Sequence, residues 1–165
     1  MGIVLSIVQF SASRLQKYIN NSESFKSDLR QLSKNEIDKS VYLDKAWEAV
    51  HFILTGENLG YGDPPLCKAI YSRHFFDEKQ DLGMGPASYL TPEQVREIHF
   101  LLESLDDKYV KEKYNPAKMN KLGIYQKPWD DNPLRHQYVL ENFQKLKAFY
   151  KDAASKNHAI ASYLG

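Results

Sequence analysis

The sequence predicts an α/β domain built on a small mixed sheet that includes the N- and C-terminal strands and is covered by several helices. Three observations predict it. Residues 3–10, IVLSIVQF, form a short β-branched run with almost no polar break, as a strand buried on both faces requires. Residues 158–165, HAIASYLG, form a second apolar, β-branched stretch able to pair with the first. Between them the apolar residues recur mainly at helical spacing, so helices outnumber strands and must cover the sheet. With 165 residues, 42% of them apolar and 13% aromatic, the chain suits a single domain over 1–165 with its own core.

After the first strand, SASRLQKYI offers Ser11 or Ser13 as N-cap, with Leu15, Tyr18 and Ile19 at helical spacing. ESFKSDLRQL places Phe25, Leu29 and Leu32 on one face of a second helix, and the polar segment SKNEIDKS then separates it from the next helix. Residues 43–55 read as that third helix, apolar nearly all round and hence largely buried. ENLGYGDPP, residues 57–65, is a loop by its turn chemistry, and Pro65 opens a short helix through Tyr71. Residues 87–90 form a short strand. Thr91 then caps a helix with Pro92 at its first position, Gln94 completing a capping box, and Val95, Ile98, Leu101, Leu102 and Leu105 inward. In that helix Phe100 lies off the apolar arc and is expected to pack under a second surface. Shorter helical pieces occupy 106–125, with Pro116 opening the one that carries Met119 and Gly123 ending it. The longest helix, 134–155, carries a continuous stripe of Val139, Phe143, Leu146, Tyr150 and Ala153.

Charge excludes some functions. Lys plus Arg number 22 against 21 Asp plus Glu, a net charge of +1 with both signs interspersed, so neither nucleic acid nor a membrane surface is an expected partner. A single cysteine, Cys67, forms no internal disulfide and fits a reducing, cytoplasmic setting. MGIVLS matches the literal pattern for myristoylation, but a buried strand explains the run more simply, and neither a secretory leader nor a membrane span is expected. No metal or cofactor site is expected. The five histidines stand more than twenty residues apart, GYG and GMG lack the third glycine of a dinucleotide fingerprint, and there is no phosphate loop or Gly-x-Ser-x-Gly elbow.

The stretch LDKAWEAVHFILTG is where a site is first sought. On a helical wheel at about 100° per residue, Asp44, Glu48, His51 and Thr55 fall in one narrow strip opposite the apolar arc. A His with carboxylates three and seven residues before it could do acid-base work, with His51 as acid or base and Asp44 or Glu48 as its orienter. In that reading the pocket lies where the helix meets the GYGDPP loop, with Trp47 or Trp129 as a wall. The alternative is structural: Trp47 packs, Asp44 starts the helix and His51 hydrogen-bonds at a boundary.

The same stretch resembles the signature of the YfbM-like family, a bacterial family of unknown function. Also similar in order along the chain are the opening Met-Gly strand, GPASYLTPEQV, YNPAKM followed by GIY and then Trp129, and the terminal helix and strand. The resemblance implies a single α/β domain with no established activity, and family-like residues at Asp44, Lys45, Trp47, His51, Thr55, Gly56, Gly85, Pro86, Tyr89, Leu90, Thr91, Pro92, Tyr125 and Trp129. One departure is IYQKPW, where the family often continues Ile-Tyr with Pro and then Trp shortly after. The expected function is a binding or protein-interaction domain, of immunity or accessory type, for a protein partner or small ligand. The alternative is a small His-carboxylate enzyme. Trp47, Tyr89, Tyr125 and Trp129 are the candidate ligand-binding residues.

Overall fold

The structure, a computed structural model, describes residues 2–31 and 39–165. Its sheet is built around the two ends of the chain. β1 (Leu5–Phe10) and β4 (Ala159–Leu164) are the central strands and pair antiparallel from Leu5↔Leu164 to Phe10↔Ala159. β2 (Lys39–Tyr42) flanks β1 and β3 (Ser88–Leu90) flanks β4, giving the order β2-β1-β4-β3. The expected mixed sheet is in fact antiparallel at all three pairings. A parallel neighbour needs a crossover to the far end of the sheet, whereas β2 begins opposite the end of β1, at Gln9↔Lys39, without one.

Helices cover both faces. Leu5, Ile7, Leu90 and Ile160 face a large core formed with α3 (Trp47–Thr55), α4 (Pro92–Glu103), α5 (Asp107–Lys113), α6 (Pro116–Leu122) and α7 (Pro133–Ser155). Val8, Phe10, Tyr89, Ala159 and Ala161 face a smaller core closed by α1 (Ala12–Asn20) and α2 (Ser22–Arg30). This explains why β1 shows no polar alternation: Leu5, Ile7, Val8, Gln9 and Phe10 are all fully buried. The one polar member, Gln9, is satisfied, its amide donating to Asp152 Oδ2 at 2.9 Å and its carbonyl 2.9 Å from His158 Nδ1.

Local signals set most boundaries. Ser11 caps α1, accepting from the Arg14 N–H at 3.3 Å. Leu15 and Tyr18 are buried beneath it, while Ile19 is 39% exposed. Phe25 is buried and Leu29 partly so; Leu32 and most of the polar separator lie outside the described residues. The Thr91–Gln94 capping box forms in both directions, and the α7 stripe from Val139 to Ala153 is buried throughout.

Three expectations change. β2 falls at the end of the segment that reads as a polar separator. The short helix after Pro65 is only a 3-10 turn over Leu66–Lys68. Phe100 is 75% exposed, because among the described residues no element lies over the outward face of α4 where the wheel put it.

Candidate functional site

The strip on LDKAWEAVHFILTG is divided by where the helix begins. α3 starts at Trp47, not at residue 43. Before it, the Leu43 N–H bonds to the Leu5 carbonyl and the Leu5 N–H to the Asp44 carbonyl, so hydrogen bonding to β1 continues past β2 and keeps these residues out of the helix. Asp44 then turns with φ 48°. It is therefore off the helix, and its carboxylate accepts from the Tyr138 O–H at 2.7 Å. The Tyr138 oxygen in turn accepts from the Lys45 N–H at 3.2 Å.

Glu48 is on the helix but is committed elsewhere. One oxygen accepts from the Leu59 N–H at 3.0 Å and the other from the Tyr125 N–H at 2.8 Å, so the carboxylate ties two loops to α3. His51 is fully buried beneath the 57–65 loop, its Nε2 donating to the Tyr61 carbonyl at 3.0 Å and its Nδ1 without a hydrogen-bond partner among the described residues. Burial holds its pKa below the usual value, against the opposing pull of the Tyr61 carbonyl and the Glu48 charge. Neither carboxylate is hydrogen-bonded to the ring, so His51, Asp44 and Glu48 do not assemble as one acid-base group.

The aromatic candidates divide by sheet face. Trp47 donates its indole N–H to the Ile3 carbonyl at 3.0 Å and stacks on Tyr125 with centroids 5.3 Å apart, while the Tyr125 hydroxyl accepts from the Ile3 N–H at 2.7 Å. The pair clamps the entry to β1. This gives the second residue of the Met-Gly opening a packing role: a Cβ at Gly2 would lie 2.4 Å from the Tyr125 hydroxyl. Trp129 is locked into the loop before α7, its indole donating to the Ile124 carbonyl and its backbone exchanging two bonds with the Asn120 side chain. Tyr89 is apart from all three, on the other face of the sheet, stacked between His74 and Phe76.

The first half of α7 has a cavity on each side. One, about 330 Å³, is lined by Asp44, Lys45, Gln126, Trp129, Leu134, Arg135 and Tyr138. The larger, about 670 Å³, lies between α5 and α7. Val110, Tyr114 and Leu140 form its apolar floor, and Asp107, Lys108, Lys111, Asp131 and Gln137 stand exposed around it. His136 packs its ring 3.7 Å from that of Tyr114, with Nε2 3.8 Å from Asp131. Burial pushes the Tyr114 hydroxyl up to about 12, and it donates to the Asp130 carbonyl at 2.9 Å. No local pattern in the sequence marks this cleft, because Tyr114, just past the end of α5, and His136, in α7, meet only through packing of distant segments. Among the described residues, no three His, Cys, Asp or Glu side chains group as a metal site would require.

The family description that matches this chain is a domain of unknown function, DUF1877, over residues 1–163. Among solved structures, the chain is similar to a protein of unknown function, YfbM from Escherichia coli. That likeness covers 98% of this chain and 99% of that one at 17% identity, with a TM-score of 0.75, and so speaks for the fold alone. No curated protein matches.

Proposed function

The chain belongs to the DUF1877 family, a domain of unknown function, and on that premise we propose that it is a binding domain that recognises a protein partner through the α5–α7 cleft. One observation carries this reading: the roughly 670 Å³ cleft joins an apolar floor to a rim of exposed charges of both signs. That combination supports an interface reading, since in interfaces an apolar centre excludes water and a polar rim sets register and selects partners. The rim carries Lys108 and Lys111 as well as Asp107 and Asp131, which suits a protein surface of mixed charge better than a polyanion. An immunity or accessory role in a bacterial cytoplasm is part of the same reading. Among the described residues no helix is long and apolar enough to cross a membrane. The acid-base alternative has less behind it, since His51 is sealed and lacks a carboxylate partner.

The test is to plug the cleft from an exposed position. Gln137→Trp sets an indole over the floor from the outer side of α7 and should leave the melting temperature unchanged within about 2 °C. Crosslinking in the native host should recover a partner with the unmodified chain and about tenfold less of it with the variant. Equal recovery of the same partners by both would remove the cleft as the interface.

A further inference from the structure

The smaller groove on the opposite side of α7 carries a separate inference. Its charges are unequally committed. Asp44, its carboxylate, is taken up by the Tyr138 hydroxyl at 2.7 Å, and that hydroxyl is itself fixed by the Lys45 N–H at 3.2 Å. The cations are freer. The Lys45 ammonium has no ion pair or hydrogen bond among the described residues. The Arg135 guanidinium rests 5.2 Å from the centre of the Trp129 ring; one Nη donates to the Gln126 carbonyl at 3.3 Å, and its contact with Asp130, through Nε, is long, 3.7 Å, to a side chain 60% exposed. The donors left for a ligand are thus the Lys45 ammonium and the remaining Arg135 N–H groups, and a guanidinium backed by an aromatic face offers them to a carboxylate in a fixed plane.

The groove also has an uncovered apolar wall. Leu134 is 78% exposed and lines the groove with Trp129 and Arg135. At about 330 Å³ the space is at the small end of the roughly 300–1,000 Å³ range of small-molecule sites. Its rim is strained as well. Four non-glycine residues among those described have left-handed backbones, and two of them, Asp44 at φ 48° and Gln126 at φ 72°, line this groove. Such conformations persist where the surroundings over-determine them and recur at ligand clamps.

We propose that this groove binds small amphipathic carboxylates, with Lys45 and Arg135 on the carboxylate and Leu134 under the apolar body. The site does not depend on the α5–α7 cleft. It also gives a role to Asp44, Lys45 and Trp129, which come from two separate family-like segments: Asp44 turns the chain beside Lys45 and accepts from the Tyr138 hydroxyl, and Trp129 supports Arg135.

The experiment monitors backbone amide shifts of the ¹⁵N-labelled full chain titrated with N-acetyl-leucine, its neutral amide N-acetyl-leucinamide, and inorganic phosphate. The acid should shift residues 44–45 and 134–138 to saturation, and the amide should bind about tenfold more weakly, the loss of one charge-assisted contact. Lys45→Gln should weaken the acid by a similar factor, and Leu134→Ser should weaken the acid while leaving phosphate unaffected. Both positions are solvent-accessible, so the variants should fold, and the unshifted remainder of each spectrum reports that. The proposal is overturned if acid and amide bind alike, if Lys45→Gln changes nothing, if phosphate binds as tightly as the acid, or if the acid shifts no groove residue.

Discussion

His51 shows how a titratable residue can be buried for packing and still leave a measurable trace. Its ring donates to the Tyr61 carbonyl, and burial depresses its pKa below the ordinary 6.5. In the folded chain it takes up a proton less readily than in the unfolded chain, so below pH 6.5 the unfolded state holds more protons. Stability should therefore be flat in this contribution above pH 6.5 and fall as pH drops through the window below it, by at most about 1.4 kcal/mol per pH unit. Denaturant titrations of the unmodified chain and of His51→Gln at several values between about pH 5 and pH 7.5 isolate it, because the other histidines cancel in the difference. A variant with the same slope would mean that His51 is not held neutral. The residue types in this stretch were legible in the sequence, but their partners were not. Asp44 meets Tyr138 and Glu48 meets Leu59 and Tyr125, contacts that span up to 94 positions and that no wheel displays.

At the level of elements, chemistry confined to a few neighbouring residues was readable in advance. The α4 start needs only Thr91, Pro92 and Gln94, which lie side by side in the chain and bond to one another there. Thr91→Ala should cost about 1 kcal/mol, lowering the melting temperature by roughly 2–4 °C. On the same helix Phe100→Ser should change stability by no more than about 0.5 kcal/mol, since that ring is already three-quarters exposed. Calorimetry on the two variants separates a cap that holds the helix from an aromatic that covers nothing. β2 escaped detection for the converse reason. It is an edge strand of four residues, only Val41 of which is partly buried, so it exists through its pairing with β1 rather than through an apolar pattern of its own.

The whole molecule depends on the ends of the chain meeting. β4 is a central strand, hydrogen-bonded to β1 on one side and β3 on the other, and its Ala159, Ile160 and Ala161 contribute to both cores. Removing residues 158–165 should abolish cooperative unfolding, seen as loss of a sigmoidal far-UV circular dichroism melt; a truncated chain that still melts cooperatively would show that β1 and β3 can close without it. The sequence by itself determined the class of fold, the strands at both ends, the double burial of β1, the α7 stripe and the α4 cap. Each depends on periodicity or on residues adjacent in the chain, which act before any tertiary contact forms. Only the tertiary structure decided that the sheet is antiparallel, that α3 begins after Asp44, that Phe100 faces solvent, and that two cavities flank α7. Those outcomes depend on which distant segments meet, and the loop-closure and packing terms that choose among pairings are not written into any local stretch of sequence.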